Sequence, residues 1–278
     1  MKKIIVNVAL PSVLFISFSV MKIEKSAILL FVGTIVFCFL LFGIGILLQK
    51  SHICDYPLSP FFFTGFEFGM IGVALFSSIF GMDQLYKILL IGLGHEFFIW
   101  FFYAPLLESQ QHGKINIVKT IKSFFKSPII LAILSAIFLN LSGLFPVITA
   151  NPAGVAIIST LTNLSNLVTP LILLTVGSNL QFKNIPWKAG FHLISLRLIA
   201  IGLLGTILVL FTGKYVMEID KTMLYAFIIF FLLPPPFIIP VFLGEKFKKE
   251  SLFYNNLLVL STVVTLVLFM IIMLIFGL

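Results

Sequence analysis

Residues 26–49 read SAILLFVGTIVFCFLLFGIGILLQ, without one charged side chain. About 20 apolar residues in a helix span the hydrocarbon core of a bilayer. Eight further blocks of similar character accompany this one, at approximately 3–20, 61–81, 84–107, 128–148, 152–180, 189–212, 222–243 and 252–277. Soluble domains carry about a quarter charged residues. This chain of 278 residues is 10% charged and 60% hydrophobic, more apolar surface than a soluble core can hide. Lipid offers backbone groups no water partners, so every crossing must be helical. The expectation is an all-α polytopic membrane protein with about nine transmembrane helices.

The net charge of +8 is therefore no sign of nucleic-acid binding. Its lysines lie between the apolar blocks, where cytoplasmic loops collect positive charge. Twelve lysines fall on the amino-terminal side of a nine-crossing path and five on the other, which predicts a cytoplasmic N-terminus and an outside C-terminus. The opening MKKIIVNVALPSVLFISFSV has a basic start and an apolar run but no clean small-x-small cleavage site, and Asn7 and Pro11 interrupt it. It reads as a retained helix rather than a signal peptide. Cys38 and Cys54 form no metal-binding or disulfide spacing. The polar stretch 108–127 reads as a central cytoplasmic linker, with Ile115, Val118, Ile121 and Phe125 spaced for one face of an interfacial helix.

A weak internal repeat joins 7–23 to 166–182. Each carries Asn, three residues, then Pro (Asn7/Pro11 and Asn166/Pro170), followed by a long apolar helix and then an irregular block, Gly-rich at 61–81 and Pro-rich at 222–243. The copies are five crossings apart, hence inverted. Inverted repeats with interrupted helices in matching positions are a signature of secondary transporters. Pro234, Pro235 and Pro236 fall in the middle of their block, and each removes a backbone donor. In the other block Gly65, Gly69 and Gly72 loosen the helix beside Glu67, an acid whose burial in a membrane costs about 2.5–3.5 kcal/mol on insertion scales. If both blocks break near mid-depth, their half-helix N-termini present N–H groups and positive partial charge suited to an anion. Gly65-x3-Gly69 as a helix-packing face is the alternative reading.

Other polar groups stand in apolar blocks. His95 and Glu96 lie near the middle of the fourth; they suit a proton relay, or equally a satisfied histidine and a paired acid. Arg197, the sole arginine, suits neutralising Glu67 or Glu96, holding an anionic substrate, or reaching for the interface. Asn140, Asn163, Asn166 and Thr169 suit helix-to-helix hydrogen bonding, with Asn166 set apart by its repeated place near a proline. No phosphate-binding loop, dinucleotide fingerprint, HExxH or nucleophile elbow is present, so the chain reads as a non-enzyme with no cofactor.

The pairs Asn7/Pro11 and Asn166/Pro170, with GFEFGMIGVALFSSIFG (65–81), SPIILAILSAIF (127–138) and TPLILLTVGSNLQF (169–182), resemble the auxin efflux carrier family, which includes bacterial malate-type permeases and plant PIN-type carriers. The resemblance runs over essentially the whole chain. It implies two inverted five-helix halves, a scaffold and a transport domain, two crossing broken helices, a fold similar to bile-acid symporters and sodium/proton antiporters, and often a homodimer. The chain departs from the family at its start, because the helix that precedes the Asn-x3-Pro motif has no counterpart. A truncated reading frame is the favoured explanation and a nine-helix protein the alternative. The division expected is a shortened first repeat over 1–107, the linker 108–127 and a second repeat over 128–278.

The function expected is a secondary carrier of small organic anions such as dicarboxylates, in the cell membrane, working by alternating access. Blocks 26–107 and 189–277 would form the transport part, and 3–20 with 128–180 the scaffold. The substrate is expected between Gly69/Gly72 and Pro234–Pro236, flanked by Glu67 and Asn166, with His95, Glu96 and Arg197 as further candidates for binding or coupling. Proton coupling, Na⁺ held by exposed carbonyls, and uniport all stay open. A non-transporting sensor or scaffold on the same fold is the rival class.

Overall fold

A computed structural model describes residues 4–20, 25–112, 126–168, 170–171, 174, 186–239 and 247–277. Among these the chain is helical, without a strand. A π-helical turn, Ile5–Ala9, leads into α1 (Leu10–Val20). Then come α2 (Lys25–Lys50), α3 (Ser59–Phe63), a π turn at Phe68–Gly72 and α4 (Val73–Phe80). Helix α5 (Tyr86–Phe98) continues through a π turn, Ile99–Tyr103, into α6 (Ala104–His112). The rest is α7 (Pro128–Leu141), α8 (Leu144–Thr149), α9 (Pro152–Ser165), α10 (Trp187–Tyr215), α11 (Lys221–Leu232) and α12 (Lys248–Phe276).

Among the described residues five stretches are long and apolar enough to cross a membrane: Ala27–Lys50, Ser59–Phe80, Tyr86–Leu107, Trp187–Tyr215 and Lys249–Phe276. Three shorter apolar helices accompany them, at Asn7–Val20, Pro128–Leu141 and Lys221–Leu232. The expected block 128–148 is not one rod. Helix α7 ends at Leu141, Gly143 takes a left-handed φ of 68°, and α8 starts afresh. The core of the linker, 113–125, and most of 169–185 lie outside the described residues, as does 240–246.

Local chemistry sets several of these boundaries. Asp220 caps α11 by accepting the N–H of Met223, and Asn151 caps α9 by accepting that of Ala153, with Pro152 in the first turn. Leu58 enters α3 at φ 64°, a strained conformation for a leucine. The adjoining loop is pinned there by Tyr254, whose hydroxyl donates to the Pro57 carbonyl, and by Gln49, whose amide donates to that of Tyr56.

The principal helix contacts sort into two groups. Helix α1 packs on α7 and α9, with α8 against both of these. Helices α2 to α5 pack together with α10, α11 and α12. The two groups touch where α1 meets α5. Asn140 secures the first by donating to the Phe18 and Ser19 carbonyls at the end of α1. The second holds the aromatic core, with Phe62, Phe63, Phe66, Phe76, Phe98, Phe227, Phe230, Tyr103 and Tyr254 fully buried.

Candidate functional site

Both suspected interruptions are real, and they meet. In the first segment α3 stops at Phe63, residues 64–67 are non-helical, and helix resumes at Phe68. In the second, α11 ends at Leu232, residues 233–236 are non-helical, and 238–239 are helical at the end of the described residues of this segment. Gly65 makes the first break possible. Its φ is +73°, and a Cβ there would stand 2.7 Å from Pro236 Cγ and 2.9 Å from Ile99 Cδ1. Only glycine meets both conditions without strain. Gly72 allows a second close approach, with Leu233 Cδ1 2.8 Å from where its Cβ would lie.

Breaking two helices in an apolar core frees carbonyls and N–H groups that must find partners. Here the segments satisfy each other. The Glu67 N–H donates to the Pro234 carbonyl at 2.8 Å, and the Phe237 N–H donates to the Glu67 carboxylate at 2.6 Å. Glu67 is buried. Its carboxyl group stands beside the Phe237 N–H, just before the helical residues 238–239.

Arg197 supplies the opposite half of the arrangement. From α10 its Nη1 donates to the carbonyls of Phe62 and Phe63, both at 2.8 Å, and its Nη2 to those of Gly65 at 2.8 Å and Leu233 at 3.3 Å. The guanidinium also lies 4.8 Å from the centroid of the Phe66 ring. These acceptors stand at the carboxyl ends of α3 and α11, where helix dipoles attract a cation. Of the roles open to Arg197 from sequence, the geometry selects none outright; it shows a clamp on four backbone carbonyls.

Hydroxyls close the remaining gaps. Tyr103 donates to the Phe61 carbonyl at 2.8 Å, Thr64 to that of Cys38 at 2.8 Å, and Thr265 to that of Leu232 at 2.6 Å. Sequence reasoning missed all three. Thr265, a polar residue within the apolar helix α12, offered a faint signal, whereas Tyr103 offered none.

His95 joins the first break from α5. Its Nε2 accepts the N–H of Phe66 at 2.8 Å, and its ring is surrounded by those of Phe66, Phe68 and Phe230. Glu96 points away from the break. Its Oε2 accepts from Trp100 Nε1 at 3.1 Å, and its Oε1 lies 3.5 Å from His95 Nδ1.

The other expected site residues are placed as follows. Pro234, Pro235 and Pro236 are buried at the meeting point. A Cβ at Gly69 would lie 3.6 Å from Leu10 Cδ1 of α1. Asn166 is not at the meeting point. It sits at the end of α9, on the wall of a cavity of about 650 Å³ between the two helix groups. Thr162, Ser165, Tyr86 and Asp83 line the same cavity, with Val13 and Ile16 of α1. Among the described residues the void beside Arg197, Pro234 and Pro235 measures about 10 Å³.

One ion pair ties the segments together at another level. Lys87, buried in the first turn of α5, donates to the Asp220 carboxylate at 2.5 Å. That bond, with the Met223 N–H behind it, holds the Asp220 carboxyl below its usual pKa. Among the described residues no cluster of three or more His, Cys, Asp or Glu is placed to hold a metal ion.

These features define an all-α membrane protein built around two interrupted segments that neutralise one another. No protein-family model matches the chain, and no curated protein matches it in sequence.

Proposed function

We propose that the chain is a secondary carrier of small organic anions such as dicarboxylates, of the auxin efflux carrier kind, acting in the cell membrane by alternating access. The observation that carries this reading is the reciprocal bonding of two interrupted segments, Glu67 N–H to Pro234 and Phe237 N–H to Glu67. Interrupted backbone inside a membrane belongs where protein or a solute path covers it, and transporters built from inverted repeats place such segments at the substrate and ion sites. On this reading nine spans form two inverted repeats, 1–107 and 128–278, joined by a cytoplasmic linker at 108–127. The N-terminus is cytoplasmic and the C-terminus outside, following the lysine count. A homodimer is the assembly the resemblance favours.

The two helix groups supply the moving parts. The group around α1, α7 and α9 is the scaffold, and the group holding the interrupted segments moves against it. The cavity lined by Asn166, Thr162 and Ser165 lies on that sliding surface and offers these neutral hydrogen-bonding groups to a solute, with the Asp83 carboxyl in the same lining. Gly69 and Gly72 face this surface and the partner segment respectively, so small residues stand where the parts pass closely. Arg197 favours proton coupling or uniport over Na⁺ coupling, because it occupies the carbonyls that a sodium ion would otherwise use.

The test is uptake of labelled malate into proteoliposomes. Flux above that of protein-free vesicles, lost in the double variant Pro235→Leu/Glu67→Gln, is the expected result. Equal flux from wild type and variant would remove the proposed site.

A further inference from the structure

We propose that His95 is a proton-operated latch on the first interrupted segment. In the neutral imidazole one nitrogen carries the proton and the other accepts. Nε2 accepts from the Phe66 N–H, so the ring proton lies on Nδ1. Nδ1 is buried without a hydrogen-bond partner, and Glu96 Oε1 lies 3.5 Å away, just beyond a good bond. A second proton has only Nε2 to occupy. Adding it forms an Nε2–H that faces the Phe66 N–H, donor against donor, and the bond that holds Phe66 is lost. The same proton turns the ring into a cation beside the Glu96 carboxylate, which draws Nδ1–H across the remaining gap. Protonation therefore releases the Phe66 N–H and engages Glu96 in one step.

The surroundings are consistent with two discrete states. On its own helix His95 faces Glu96. From the interrupted segment comes Glu67, held by the Phe237 N–H. From α10 comes the Arg197 cation, over the Phe66 ring that His95 also contacts. Helix α2 packs on α5 at Gly94 through Phe31 and Thr34, and its buried titratable group is Cys38. Helix α11 presents the apolar ring of Phe230. His95 itself is fully buried, and the Glu96 side chain beside its Nδ1 is 14% exposed; the incoming proton reaches Nε2 as the Phe66 bond opens. Trp100, bonded to Glu96, stands where it reports the exchange.

The latch deepens the carrier reading and rests on it for its purpose, yet it can be tested without transport. The full chain is placed in lipid nanodiscs with Trp187→Phe, which leaves Trp100 as the sole tryptophan. Trp100 emission should follow one sigmoidal transition on acidification, and hydrogen exchange at the Phe66 amide, corrected for the intrinsic rate, should rise by about tenfold or more across it. His95→Gln can accept from Phe66 and donate toward Glu96 but cannot charge, so both responses should vanish. Unchanged responses in His95→Gln overturn the latch. A second measurement covers the case in which that variant does not fold. In protein carrying His95 alone, with the other three histidines replaced by asparagine, ¹⁵N resonances at pH 8 should show Nδ1 protonated and Nε2 bare. A protonated Nε2 overturns the proposal. Malate flux with a pH-insensitive break would refute the latch and leave the carrier standing; a pH-driven break without any flux would do the reverse.

Discussion

Replacing Arg197 tests the reasoning most severely, because a buried cation is costly and must be justified by what it bonds. Insertion scales put that cost at about 2.5–3.5 kcal/mol. Against it stand three short bonds to carbonyls and one longer one. Leaving a buried polar group unpaired costs about 1–3 kcal/mol, so stranding three well-bonded carbonyls costs roughly 3–9 kcal/mol by the same principle. The contact with the Phe66 ring adds about 0.5–2 kcal/mol. Removing the cation recovers its burial cost, so Arg197→Ala should lose on the order of 4 kcal/mol net. Arg197→Lys should fare little better. An ammonium keeps the burial cost, but its three donors cannot span carbonyls on two different segments as the planar fork does. At about 2–4 °C per kcal/mol for chains of this general size, both variants should melt roughly 8–16 °C lower. Cys38 and Cys54 are both buried, so a thiol-reactive dye reads unfolding directly in detergent without added labels. A melting temperature for Arg197→Ala within about 2 °C of wild type would mean that the carbonyls have other partners and that the clamp is incidental.

Gly65→Ala should destabilise by about 2–3 kcal/mol, since the new methyl meets Pro236 and Ile99 at a backbone angle that alanine avoids; the same dye assay checks it, and a neutral result would show that the break can shift. The Asp220 pair gives a pH-dependent expectation. Its carboxyl pKa is lower in the folded chain than in the unfolded one, so its contribution is present above the unfolded value of about 3.9 and disappears as pH falls through the folded value. Asp220→Asn should thus be less stable than wild type at pH 7, by at most about 1 kcal/mol because the carboxylate is more than half exposed. The two melting curves should converge under acid, and a gap that stayed at its pH 7 size once the carboxyl is protonated in the folded chain would assign the effect to something other than the charge.

Particular residues mark how far the sequence could be read. Helical crossings follow from apolar length alone, because lipid permits few other backbone solutions, and among the described residues five of the nine blocks recur as stretches of spanning length. The breaks were legible at Pro234–Pro236 and near Gly65, since a missing donor and a missing Cβ are properties of single residues. Block 128–148 misled because hydrophobicity continues straight through Gly143, where the backbone turns. Asn166 was grouped with the prolines on the strength of a repeat, but it lines the cavity between helix groups instead.

The sequence by itself determined that this chain lives in an apolar solvent and that helices must fail at two places within it, because both facts are written in local composition. Only the tertiary structure decided what closes those failures. Arg197 reaches carbonyls of residues more than a hundred positions away in α3, Glu67 bonds a segment equally remote, and His95 receives the Phe66 N–H. Which freed donor meets which freed acceptor depends on how the helices pack in three dimensions, and no local pattern along the chain encodes that pairing.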